Sequence, residues 1–157
     1  MYAIGDRVVY PMHGAGIIEK IEEKEVLGET RAYYILHIPY GNMQVMVPVG
    51  HADPAGIRPI VTPDKVEEVY GVLREASTEM DDNWNRRFRE NMDMLKSGDI
   101  IQVAQVVRNL MRVDRVKKLS TGEKKMLTNA RQILISEIVL VQDLSEDTVE
   151  GILEEIV

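Results

Sequence analysis

From Gly5 to Val49 apolar and polar residues alternate in short runs broken by turn residues, a period of two that predicts strands joined by hairpins. Asp6 to Tyr10 stops at Pro11, and His13-Gly14-Ala15-Gly16 reads as a flexible bend before Ile17 to Ile21. Glu25 to Leu27 and Ala32 to Ile38 flank a turn around Gly28, and Pro39 to Asn42 separates the latter run from Met43 to Val49. After position 62 the apolar spacing becomes helical. Thr62 can cap and Pro63 suits a first helical position, with Val66, Val69, Tyr70 and Leu73 on one face. A second helix starts near Asp82-Asn83, carries Trp84, Phe88, Met92 and Leu95, and ends at Gly98. Asp99 caps a third, with Ile100, Val103, Val107 and Leu110 facing inward. Ser120 and Glu123 have the spacing of a capping box, in which the serine oxygen takes one free amide and the glutamate reaches back to another. The fourth helix that follows carries Met126, Ala130, Ile133 and Leu134, and Ser145 opens a fifth with Val149, Ile152, Leu153 and Ile156.

Roughly five short strands are too few for a two-sheet sandwich and suit a small, strongly bent barrel of the SH3 or Tudor type. The predicted fold is therefore α+β: a Tudor/SH3-like β-barrel over residues 1–52, a linker over 53–62, and a bundle of about five helices over 63–157. The stretch from Gly50 to Thr62 is expected to lack regular pairing, because Pro54, Gly56 and Pro59 punctuate it.

Composition removes several kinds of chemistry. The absence of cysteine excludes thiolate catalysis, disulfides and cysteine-bound zinc. His13, His37 and His51 fall on separate runs, so no metal site is expected. Neither a phosphate-binding glycine loop nor a nucleophile elbow is present, and Gly14-Ala15-Gly16 lacks the strand-to-helix setting of a dinucleotide site. The chain is read as non-enzymatic and without a cofactor. The apolar runs are short, and Met1 is followed by Tyr2-Ala3-Ile4-Gly5-Asp6, so neither a membrane span nor a secretory signal is expected, and a cytoplasmic location is.

The formal charge of -7 argues against an anionic partner until it is resolved along the chain. Residues 84–131 hold 12 Lys and Arg against 5 Asp and Glu, whereas 132–157 hold none against 7. Because the field of such a band is screened within about 8 Å at physiological salt, it acts locally and can attract a phosphate. Arg108, Arg112 and Arg115 lie toward the end of the third helix, where its own dipole favours cations, and need no ligand. The other group is less comfortable. Arg86, Arg87 and Arg89 in the opening turns of the second helix, with Lys124 and Lys125 opening the fourth, sit near positive dipole ends, which favours an external anion such as a nucleic-acid backbone. Pairing with Glu90 and Glu123 is the other reading. The adjacent Asp81-Asp82 reads as first-turn charge. Trp84 is the sole tryptophan; its spacing with Phe88 suits a core aromatic, and its place before the arginines suits a ring offered to an unstacked base or a minor groove.

Three separated motifs bear on that choice: Gly5-Asp6-Arg7-Val8-Val9-Tyr10-Pro11-Met12-His13-Gly14, Asn83-Trp84-Asn85-Arg86-Arg87-Phe88, and Leu119-Ser120-Thr121-Gly122-Glu123-Lys124-Lys125-Met126-Leu127. Together they resemble the CarD/CdnL family of bacterial RNA polymerase-binding transcription regulators, whose N-terminal module is shared with transcription-repair coupling factor. The resemblance implies a Tudor-like domain that binds a lobe of the polymerase β subunit. It also implies a helical domain that touches promoter DNA, largely independently of sequence, at the upstream edge of the bubble and stabilises the open complex. It assigns Trp84 as a wedge and Arg86, Arg87, Arg89, Lys124 and Lys125 as DNA-facing positions. On the barrel it points to Lys24 and Met46, which are arginine in an actinobacterial type of the family; Met46 forgoes that charge. Met43, Gln44, Val45, Met46 and Val47 are the candidate edge strand for polymerase binding, since strand addition draws on main-chain hydrogen bonds. A polymerase adapter without functional DNA contact is the alternative.

Overall fold

The computed structural model describes residues 2–49 and 56–157. Five strands, β1 (Arg7–Tyr10), β2 (Gly14–Val26), β3 (Glu29–Ile38), β4 (Met43–Pro48) and β5 (Arg58–Pro59), form one antiparallel sheet in the order β4-β3-β2-β1-β5. Five helices follow: α1 (Pro63–Arg74), α2 (Trp84–Lys96), α3 (Ile100–Val116), α4 (Thr121–Gln142) and α5 (Glu146–Ile156). This is the predicted α+β architecture, a Tudor-like sheet module followed by a helical one. Four of the five expected caps form: the side chains of Asn83, Asp99, Ser120 and Ser145 each accept a backbone amide of the following turn, whereas Thr62 holds the cap position of α1 with no side-chain bond and Pro63 begins the helix.

Two details of the strands differ from the pattern. The break expected after Ile21 does not occur, and β2 continues to Val26, because the two-residue turn Leu27-Gly28 holds Val26 opposite Glu29 and fixes register down both strands. A register shift between Ile18 and Lys20 marks a bulge at Glu19, a device that bends a strand and raises its twist. The fifth strand lies in the stretch expected to be unpaired: Val8 is opposite Pro59 and Val9 opposite Arg58. Proline is tolerated there because β5 is an edge strand. Residues 50–55 of the expected turn-rich stretch, His51 among them, lie outside the described residues.

The sheet core comprises Val8, Ile18, Tyr34, Leu36, Ile38 and Val47, and the helical core joins Val66 and Leu73 of α1 to Val107 and Leu110 of α3 and Ala130 and Leu134 of α4. A third cluster bridges them, with Val9 and Ala15 against Leu140. Gly14-Ala15-Gly16 is therefore not a flexible bend. It is the buried opening of β2, and its small residues let α4 approach: a Cβ on Gly14 would lie 2.8 Å from Ser136 Oγ. Ser136 Oγ accepts the Ala15 amide at 2.8 Å, and Arg7 donates to the Leu140 carbonyl at 2.7 Å. Arg58 grips the buried Glu137 carboxylate with two bonds of 2.8 Å and donates to the Gly98 carbonyl at 2.6 Å. The Val61 amide also donates to Glu137, at 2.9 Å.

Candidate nucleic-acid interface

Packing of α2 against α4 brings the entrances of two helices together. At the first, Asn83 accepts the Arg86 amide at 3.0 Å; at the second, Ser120 accepts the Glu123 amide at 3.3 Å. Only that serine half of the expected capping box forms. The Glu123 carboxylate turns toward α2, where its oxygens accept the Trp84 indole N–H at 3.1 Å and the Arg87 guanidinium at 3.0 and 3.2 Å. Glu123 is 4% exposed, so this charge is neutralised inside the protein. The hydrogen bonds that Arg87 donates to Glu123 raise its pKa above the ordinary value, outweighing the opposing effect of burial.

Trp84 is 41% exposed. Its indole N–H is shared with Ser120 Oγ at 3.1 Å, and its ring stacks on Phe88 with centroids 5.1 Å apart. The ring lies beside Gly122, where a Cβ would stand 3.4 Å from the indole Cζ2, at ordinary contact distance. The ring is thus neither a sealed core aromatic nor a loose surface side chain. Phe88 covers one face, and an aromatic surface held in this way can stack on a base or enter a groove.

The cations around it fall into two classes. Arg87 is committed to Glu123, and Arg86 makes an exposed 3.3 Å pair with Asp81. Asp81 and Asp82 precede the Asn83 cap instead of occupying the first turn of α2, and their carbonyls accept Arg87. Arg89, Lys124 and Lys125 have no side-chain hydrogen bond or ion pair among the described residues. Lys117 and Lys118, which the sequence reading did not single out, line a groove with Trp84, Leu119 and Ser120. The visible signal was a lysine pair just ahead of a helix cap.

Arg108 and Arg112 need no ligand, but the reason is not the dipole of α3. Arg108, 0% exposed, donates to the Val72 carbonyl at 2.8 Å, and Arg112 to those of Leu73 and Glu75 at 3.1 and 2.6 Å. Both bond carbonyls in the last turn and cap of α1, that of Val72 being shared with the Glu75 amide. Burial, with the Arg112 charge adding to it, lowers the Arg108 pKa.

On the sheet, β4 is an edge strand, as the candidate docking strand requires. Its side chains divide by parity. Met43, Val45 and Val47 pack toward the core, while Gln44 and Met46 are exposed on the opposite face. Met46 is opposite Ile35 and Lys24 opposite Arg31, positions of equal parity on β3, so Lys24 shares the outer face with Met46. His13 stacks on Tyr10 at 4.4 Å, and His37 bonds Asn42 at 2.9 Å. Among the described residues no three His, Asp or Glu side chains group in a way that could hold a metal. No helix among them is long and apolar enough to cross a membrane.

Residues 2–61 match the family model described as CarD-like/TRCF RID domain, and residues 68–154 match the one described as CarD, C-terminal domain. The chain is 40% identical over 151 residues to a protein of Bacillus subtilis (strain 168) named putative transcription factor YdeB, covering 96% of this chain and 99% of that one. Among solved structures, the solution NMR structure of the 72-residue N-terminal domain of Myxococcus xanthus CarD is similar. The identity is 36%, the coverage 38% of this chain and 79% of that one, and the TM-score 0.34.

Proposed function

The chain belongs to the CarD family, and from that premise we propose that it docks on the β-subunit lobe of RNA polymerase through β4 and presents Trp84 to promoter DNA, stabilising the open complex. As a CarD-like protein it is a transcription factor of the kind that interacts with RNA polymerase. The observation that carries the finer reading is a half-exposed indole fixed between two helix entrances with unpaired cations close by in sequence. Arg86, Arg89, Lys124 and Lys125 supply charge for phosphates on either side of the ring. Arg87 lies among them but is held by Glu123. Inserted at a strained base step, the ring replaces part of the stacking that melting removes, and therefore favours the open state over closed duplex.

Docking makes a weak DNA contact sufficient, because the contact becomes intramolecular once the sheet is bound. The packing of α4 against β2 adds to this: the ring and the docking strand belong to connected elements, so little orientational freedom has to be lost. On β4 the side chains that can meet the polymerase are Gln44 and Met46, with Lys24 on the same face, while the buried Val47 and the inward Met43 and Val45 contribute through the main chain.

The test is the lifetime of open complexes formed by polymerase with the full chain. Trp84→Ala is expected to shorten it by about tenfold, the equivalent of ~1.4 kcal/mol, and Arg86→Ala/Arg89→Ala to shorten it in a salt-dependent way. Polymerase binding with lifetimes unchanged in every variant would favour the adapter reading and remove the wedge.

A further inference from the structure

Glu123 is an acidic residue with an obvious local task, the second half of a capping box, that it does not perform. Its carboxylate instead collects the indole N–H of Trp84, two nitrogens of Arg87 and, at 3.4 Å, the Ser120 hydroxyl. Stability alone is a poor reason for this arrangement, because a buried ion pair roughly breaks even against apolar side chains of the same volume. Its particular consequence is geometric. The N–H edge of the indole is fixed toward α4, Phe88 supports one face, and the ring's edge lies against the start of α4 at Gly122.

We infer that Glu123 and Arg87 are positioning residues that hold the Trp84 ring in one orientation for DNA, and that Arg87 spends its charge on Glu123 instead of on a phosphate. This rests on the reading of Trp84 as the DNA-contacting ring, and it changes the role of one cation beside it. Arg87 then differs in kind from Arg89, Lys124 and Lys125, whose side chains have no partner among the described residues. Each phosphate contact releases condensed counterions and adds about 0.9 to the slope of log affinity against log salt, whereas an arginine paired internally adds none.

Two readouts separate these roles. Trp84 is the sole tryptophan, so intrinsic fluorescence of the free full-length protein reports this ring alone. Glu123→Ala and Arg87→Ala are expected to raise acrylamide quenching and lower anisotropy. Glu123→Gln, which keeps an oxygen for the indole N–H, stays near the unmodified protein and guards against a variant that fails to fold. In the complex with polymerase and promoter, Arg87→Ala is expected to cost about tenfold or more in open-complex stabilisation, the scale of one charge-assisted hydrogen bond, with no change in salt slope. Lys125→Ala lowers the slope by about 0.9. A fall in slope with Arg87→Ala, or unchanged quenching in Glu123→Ala, overturns the inference. If quenching responds as expected but Trp84→Ala leaves open-complex lifetimes untouched, the wedge reading fails and the ring lock stands.

Discussion

At Gly14 two demands meet in one residue. Its φ is +122°, a backbone region that side chains rarely adopt, and the space a Cβ would take is filled by Ser136 Oγ at 2.8 Å. That hydroxyl cannot move away without giving up the Ala15 amide, the bond that fastens β2 to α4. Gly14→Ala is therefore expected to destabilise the fold by about 2–3 kcal/mol, combining backbone strain with overpacking. Ser136→Ala in the same chain relieves the overlap but leaves the buried Ala15 amide without its acceptor and the strained φ in place, so it should restore little or none of that loss. Urea denaturation midpoints of the single and double variants check both statements. Sequence reasoning read the same glycines as flexibility, since it can see that a side chain is missing but not that a helix far along the chain occupies its place.

Among the elements, those legible in sequence carry their determinants locally. Thr62-Pro63, Asn83, Asp99, Ser120 and Ser145 mark helix starts within one turn, and all five helices begin there. What depends on distant partners was not legible: the pairing of Arg58-Pro59 with β1, the task of Arg108 and Arg112 at the end of α1, and the turning of Glu123 toward Trp84. The candidate site divided along the same line. Trp84 and the cations were visible as a cluster, but which cations are already paired was not. The β2–β3 hairpin shows a local signal that was only partly read. Gly28 marked a turn, but Leu27 also takes a positive φ of 53° and is 99% exposed, in a two-residue turn whose geometry favours asparagine or glycine. Leu27→Asn eases that strain and gives up no packing, so it is expected to stabilise the protein by part of the roughly 1–2 kcal/mol that a left-handed conformation costs an ordinary side chain. A rise in the thermal midpoint with an unchanged far-ultraviolet spectrum would verify it.

At the scale of the molecule, the sheet and the helices are joined by polar bonds that hold only while both are folded. Glu137 is 1% exposed, and its charge is met by both terminal nitrogens of Arg58 and by the Val61 amide. Tyr40 adds a bond to Glu150 at 2.8 Å, and burial pushes its hydroxyl pKa up to about 12. If these contacts couple the two halves, urea should unfold them in one transition, with Trp84 fluorescence reporting α2 and hydrogen exchange of β3 amides reporting the sheet. Arg58→Ala leaves the Glu137 carboxylate buried without its cation and is expected to cost about 3 kcal/mol or more. Because the carboxylate stands on α4 and the arginine on β5, both probes should move together to the same lower midpoint. A shift confined to the sheet would mean that the halves fold independently. In that case the DNA contact proposed for Trp84 would be made on a swinging arm, and its effect on open-complex lifetime would depend on the length of the connection between them. Joint movement instead makes the distance from β4 to Trp84 a fixed property of the fold, and Arg58→Ala should then shorten open-complex lifetime only under conditions where it also loosens the packing of α4 on β2.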